Sequence, residues 1–130
     1  MADVEHVDIA DPNIHEPKGV ASAVAQAVYV ADGAGSGDWK LHVKRYSITI
    51  SPALVAANTT AEETFTCTGL ALATDYIIGV SKPTAQAGLG IVGWRVSADN
   101  TIGITFSNNT GGGLTPTAGQ IYTVFAHRTT

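Results

Sequence analysis

Apolar residues in the second half of the chain recur at every other position, in runs of strand length. Between Thr74 and Ser107 three runs stand out: Tyr76, Ile78 and Val80; Val92, Trp94 and Val96; and Ile102, Ile104 and Phe106. A period of two places each trio on one face of a pleated strand. Tyr46, Ile48 and Ile50 alternate with Arg45, Ser47 and Thr49 in the same way, and Ser51-Pro52 stops that run. Phe65 and Cys67 alternate with Thr64, Thr66 and Thr68, a weaker strand ended by Gly69. Over Ile121–Arg128, Tyr122, Val124 and Ala126 oppose Ile121, Thr123 and Phe125. Apolar residues on both faces predict a central strand, or one covered by a neighbouring subunit.

Turn residues separate these runs. Asp99-Asn100 fits a compact turn joining Leu89–Ser97 to Thr101–Ser107 as a hairpin. Gly90 and Gly93 interrupt the first of those strands and mark a bulge or a close backbone approach. Leu54–Asn58 reads as a short crossing segment, and Lys82–Gly88 as a loop over one end of the body. Asn108–Gly119, with four glycines and Pro116, reads as a flexible or exposed loop. At least six strands at regular spacing predict an all-β body, an antiparallel two-sheet sandwich of jelly-roll-like form. An open Greek-key barrel fits the same pattern, because the pattern does not say which strands pair.

The first 40 residues have another character. Met1–Glu16 mixes Asp, Glu and His with isolated apolar residues; Asp11-Pro12-Asn13 is turn-prone, and Pro17 keeps Glu16 out of the helical region. This predicts an extended N-terminal arm. Ala-rich Ala21–Ala27 favours a short helix, whereas Val28, Tyr29 and Val30 favour a strand. Asp32–Gly37 holds three glycines in a hinge or tight turn set. It lacks the Gly-Lys-Ser/Thr ending and following helix of a phosphate loop, and the spacing of a dinucleotide fingerprint. The division expected is 1–40, arm and glycine-rich connector, and 41–130, sandwich body, with Tyr29 and Trp39 as candidates for anchoring arm to body.

Composition narrows the functional classes. Charged residues make up 14% of the chain, against roughly 25% in an ordinary globular protein, with Thr, Ser, Ala, Asn and Gly in their place. So sparse a charge favours a protein held in contact with others. A net charge of −4 provides no broad positive field for nucleic acid. Lys40, Lys44 and Arg45, around Trp39 and His42, form a basic cluster suited to a local anion or to plain solvation. One cysteine, Cys67, excludes an intrachain disulfide and reads as a small buried hydrophobe. No apolar run is long enough for a membrane helix, and the acidic start does not resemble a signal peptide, so synthesis in the cytoplasm and no membrane partner are expected.

Candidate chemistry is sparse. No His-Glu-x-x-His, His-x-His or Cys-x-x-Cys occurs, and His6, Asp8 and Asp11 would meet a metal only where arms converge in an assembly. Adjacent Glu62 and Glu63 point to opposite faces of a strand, a poor arrangement for an acid–base pair. Ser81, Ser97 and Ser107 lack the glycine-flanked context of a nucleophile elbow. The expectation is a non-enzymatic protein without catalytic residues, metal or cofactor. Trp39, Trp94 and Tyr122 are candidates for a carbohydrate platform, although the phase of Trp94 with Val92 and Val96 predicts its burial.

Two stretches taken together, His15-Glu-Pro-Lys-Gly-Val20 and Val28-Tyr-Val-Ala-Asp-Gly-Ala-Gly-Ser-Gly-Asp-Trp39, resemble an N-terminal pattern in small structural proteins of tailed bacteriophages. Lys82–Asn100 and Leu114–Gly119 before Ile121–Arg128 point the same way. The chain is most similar to capsid decoration (cement) proteins, compact β-domains that commonly assemble as trimers over capsomer junctions. That resemblance implies a virion protein on the capsid exterior, made in the host cytoplasm, with the major capsid protein as partner and a homo-oligomer, trimer favoured. His15, Glu16, Pro17, Lys18, Gly19 and Val20 become the candidate capsid or partner contact. Related domains occur in tails, fibres and baseplates, where a glycan-binding role is the alternative.

Overall fold

The computed structural model describes residues 27–31, 37–40 and 42–129. The arm Met1–Glu16, the docking segment His15–Val20 and the glycine-rich run 32–36 lie outside the described residues, as do His6, Asp8 and Asp11. Two compact units divide the chain, Met1–His42 and Val43–Thr130. In the first, β1 (Val28–Ala31) and β2 (Gly37–Lys40) pair antiparallel, with Tyr29 opposite Trp39. Their rings meet edge to face, centroids 5.4 Å apart, a cross-strand pair of the kind that pins a hairpin register. Val28–Ala31 is a strand, as its β-branched residues favour, whereas 21–26 of the Ala-rich stretch lies outside the described residues.

The second unit holds β3 (Val43–Ile50), β4 (Thr59–Thr66), β5 (Asp75–Ser81), β6 (Leu89–Ala98), β7 (Thr101–Asn108) and β8 (Gln120–Arg128). They form two three-stranded antiparallel sheets in a sandwich-like arrangement, ordered β3–β8–β5 and β4–β7–β6. The central strands, β7 and β8, are the most buried, because residues there are covered by neighbours on both edges. Ile102, Ile104 and Phe106 of β7 and Tyr122, Val124 and Ala126 of β8 are fully buried, and Ile48, Ile50, Cys67 and Leu70 complete the core between them. Phe65, Phe106 and Tyr122 make a chain of edge-to-face ring contacts through it. The β6–β7 hairpin turns at Asp99-Asn100, where Asn100 takes a left-handed φ of 58°, a conformation Asn tolerates better than other side-chain-bearing residues.

Two of the three trios do not keep one face. In β5, Ile77 pairs with Ala126 and Gly79 with Phe125, so Ile78 is an inserted residue. In β6, Ile91 pairs with Phe106 and Gly93 with Thr105, which makes Val92 a second insertion. A bulge shifts the pleat by one residue and reverses the face of every residue beyond it. Ile77 and Val80 therefore pack on the core, while Tyr76 (63% exposed) and Ile78 (55%) face outward. In β6, Leu89, Ile91 and Val96 pack inward, whereas Val92 is exposed. The burial expected of Trp94 is not found: it is 39% exposed. The bulge expected at the β6 glycines is present.

Asn108–Gly119, read as a flexible or exposed loop, is tied to the body. Val55 and Leu114 exchange backbone hydrogen bonds at 2.8 and 3.0 Å. The fully buried Asn108 donates its amide to the carbonyls of Val55, Ala56 and Gly112 at 3.0, 3.2 and 2.8 Å. Its Oδ1 accepts from the Thr110 N–H at 2.9 Å and hydroxyl at 2.8 Å. An asparagine side chain offers donors and an acceptor together, so it can replace the ladder that ends at β7.

Candidate interaction surface

The outer faces of the two sheets differ in chemistry. On β4–β7–β6 the outward positions are Thr60, Glu62, Thr64 and Thr66, with Thr101, Gly103 and Thr105 beside them in register. Arg95 and Glu62 lie across Gly103 as a two-bond ion pair of 2.7 and 3.0 Å. The Glu62 carboxyl is held below its ordinary range first by the hydrogen bond from Arg95. Apart from exposed Val92 on β6, a face of Thr, Gly and one exposed ion pair is comfortable in water.

The outer face of β3–β8–β5 mixes large apolar residues with polar ones. Register rows across it run Val43–His127–Tyr76, Arg45–Phe125–Gly79, and Ser47–Thr123–Ser81, with Thr49–Ile121 beyond. Val43, Tyr76, Ile78, Ile121 and Phe125 are all exposed large hydrophobic residues. Phe125 is 36% exposed beside Gly79, over which the space for a side chain is open. Ile78, the inserted residue of the β5 bulge, stands on this face with Tyr76, and beyond the bulge Val80 turns to the core.

At the β5 edge the apolar surface continues into a cleft of roughly 300 Å³ lined by Leu72, Asp75, Tyr76, Ile77, Trp94, Arg95 and Val96. Here β5 and β6 belong to different sheets, and the Trp94 indole N–H spans them to the Ile77 carbonyl at 3.1 Å. Asp75 forms the buried floor. It pairs with Arg128 through two bonds of 2.6 and 2.7 Å and accepts from the Ala71 N–H at 2.9 Å. The Arg128 hydrogen bonds hold the Asp75 carboxyl below its usual range, against the opposing effect of burial. Arg128 also donates to the Gly69 carbonyl, which accepts the Tyr46 hydroxyl as well.

The carboxylates found here are structural rather than convergent. Glu63 accepts the Ala53 N–H with both oxygens, at 2.9 and 3.0 Å, so adjacent Glu62 and Glu63 do serve opposite faces. Among the described residues no cluster of His, Cys, Asp or Glu could hold a metal ion. Cys67 is buried, and burial pushes its thiol up to about 11. Of the aromatic platform candidates, Tyr122 is fully buried and cannot meet a sugar, Trp39 faces Tyr29 in the hairpin, and Trp94 opens onto the cleft with Tyr76 as its aromatic neighbour. Sequence reasoning missed Tyr76, Ile78 and Leu72 as surface residues; two adjacent apolar residues followed by glycine, at Ile77-Ile78-Gly79 and Ile91-Val92-Gly93, mark the bulges at Ile78 and Val92, while a third register shift, between Val96 and Ala98, carries no such signal. No protein-family model, curated protein or solved structure matches this chain.

Proposed function

We propose that this protein is a non-enzymatic structural component of a tailed-phage virion, binding the capsid exterior and bridging neighbouring major capsid protein subunits. The observation that carries this reading is the partition of charge between the two units. Residues 1–42 contain seven acidic and two basic residues, a balance of −5; residues 43–130 contain four acidic and five basic, a balance of +1. A nearly neutral body with its own core is suited to sit on a surface. An acidic leading segment is suited to reach for a different, more basic polypeptide, and the order it gains there is offset by the contacts it makes.

In this mechanism the body covers a subunit junction while His15–Val20 ties down another chain. Copies joined as a homo-oligomer, a trimer by resemblance, strengthen weak contacts through effective concentration. A jelly-roll-like fold belongs to the same proposal: the chain alternates between sheets from β3 to β6, turns back at the β6–β7 hairpin and returns in β8 between β3 and β5, which supports that topology. Deleting Met1–Gly19 is expected to abolish co-sedimentation with purified particles while leaving the melting of the body unchanged. Equal loss of both would refute the division of labour.

The Trp94–Tyr76 cleft favours a second reading, a tail, fibre or baseplate component that binds glycan. Its volume lies at the lower end of small-molecule sites, and two aromatic residues beside a guanidinium suit a sugar ring. Imaging of particles separates the two: density over capsid junctions supports decoration, and density confined to the tail supports the alternative.

A further inference from the structure

We infer that the cleft between Trp94 and Tyr76 takes a pyranose ring bearing a carboxylate, with Arg95 as its anion contact. The inference rests on the glycan reading of that cleft and adds the charge class of the sugar. Trp94 (39% exposed) and Tyr76 (63%) line it together with the apolar Leu72, Ile77 and Val96. Aromatic and aliphatic walls of this kind cover the C–H face of a sugar ring but are indifferent to its charge.

The hydrogen-bonding inventory supplies the charge. The hydroxyls of a neutral sugar donate as well as accept, so a site for one must offer free acceptors. The carboxylate that lines this cleft offers none. Asp75 Oδ1 accepts from Arg128 Nε at 2.6 Å, Oδ2 accepts from Arg128 Nη2 at 2.7 Å and from the Ala71 N–H at 2.9 Å, and the side chain has no exposed surface. The Ile77 carbonyl already accepts the Trp94 indole N–H at 3.1 Å, so Trp94 presents a ring face without a donor. The Tyr76 hydroxyl is the remaining side-chain acceptor, and it is neutral. Arg95 is the opposite case. It commits Nε and Nη2 to Glu62, at 3.0 and 2.7 Å, while its side chain stays 59% exposed and its Nη1 end lies outside that pair. A cleft short of acceptors and holding a guanidinium fits a ligand that brings its own carboxylate, because charge-assisted bonds to Arg are stronger than neutral ones. A polyanion such as nucleic acid would need a broad positive field, and this chain carries a net −4.

The test is titration of the full chain with the methyl glycosides of glucuronic, galacturonic and N-acetylneuraminic acids, and with neutral methyl glucoside and galactoside. The readout is the NMR shift of the Trp94 indole N–H, assigned with a Trp39→Phe variant because the chain has two tryptophans. At least one acid is expected to bind about 10-fold or more tighter than either neutral glycoside; which acid binds separates a uronic from a sialic source. Arg95→Gln is expected to remove that margin without affecting the neutral sugars. Glu62→Gln is expected to widen it, by taking away the competing carboxylate. The pair is exposed, so neither variant is expected to unfold the body, which circular dichroism checks. Neutral glycosides that bind as tightly as the acids overturn the charge class and leave the glycan reading standing. Benzoate binding as tightly as the acids assigns the cleft to aromatic carboxylates and overturns the sugar. An unchanged margin in Arg95→Gln overturns the anion contact. No shift with any glycoside at millimolar concentration overturns this inference and the glycan reading together.

Discussion

Replacing Asn108 by Asp changes one NH2 group to an oxygen and nothing else in shape. In the wild type that group meets three carbonyl oxygens at 2.8–3.2 Å, in a residue with no exposed surface. A carboxylate there would face three acceptors out of water, so the side chain stays protonated in the folded state. Holding an aspartic acid neutral at pH 7, about three pH units above its ordinary pKa, costs about 4 kcal/mol at 1.36 kcal/mol per unit. The protonated acid keeps one donor where the amide had two, and the lost hydrogen bond adds about 1 kcal/mol. The variant is therefore expected to be about 5 kcal/mol less stable than the wild type at pH 7, a large part of the ~5–15 kcal/mol typical of a domain. The sign with pH comes from the raised folded-state pKa. The folded variant binds a proton that the unfolded chain has lost, so its deficit grows as pH rises above ~4 and shrinks to about 1 kcal/mol at pH 4. Urea unfolding of both proteins at neutral and acid pH, followed by far-UV circular dichroism, measures the difference directly. A deficit below ~1 kcal/mol at pH 7, or one that does not change with pH, would refute the role assigned to Asn108.

Asp75→Asn removes the charge opposite Arg128 while keeping an acceptor for the Ala71 N–H. Because Arg128 is about one-third exposed and regains water, the expected cost at neutral pH is about 1–2 kcal/mol. In the wild type the Asp75 contribution is complete above the ordinary carboxylate range and is lost as pH falls through the lowered folded-state pKa; urea midpoints against pH should show that acid limb reduced in the variant, and superimposable limbs would contradict the pairing. Cys67, with its thiol pushed up to about 11 and its side chain buried, is expected to resist a disulfide reagent at mildly alkaline pH until urea is added; rapid labelling of folded protein would place it at the surface.

Strand positions were legible because alternation survives in single residues: five of the six body strands begin and end within three residues of the apolar runs, while β4 starts at Thr59, five residues ahead of the Thr64–Thr68 alternation. The second apolar face of Ile121–Arg128 foretold a central strand, and β8 is one. Which face a run presents was less legible. Alternation is counted from a starting residue, and one inserted residue at Ile78 or Val92 inverts the count for everything beyond it. Only the pairing with the partner strand shows the insertion: β5 meets a partner from the far end of the chain, β8, and even in the β6–β7 hairpin the turn does not disclose the extra residue. Asp75 and Arg128 are 53 positions apart, so their pairing depends on β5 lying beside β8, which no local pattern specifies. Asn108 was obscured for a different reason. Its neighbours read as loop, and the sequence does not distinguish a polar side chain in water from one satisfying three buried carbonyls.

These two failures of local reading bear on function in opposite ways. Asn108 and Asp75 turn polar groups inward and satisfy them, which rigidifies the body without offering chemistry to a ligand. Ile78 and Val92 stand outward as the inserted residues of two bulges, beyond which Val80 and Val96 turn to the core and Trp94 is left half open at the seam. Each large apolar residue left outward forgoes about 1.5–3 kcal/mol of burial. Such a loss is offset when another surface covers the residues. On the outer face of β4–β7–β6 the departure from a wetted sheet is confined to the edge strand β6, at Val92, whereas on β3–β8–β5 it reaches all three strands. Apolar exposure spread across one whole sheet fits a body that works in contact with another chain better than one that works alone.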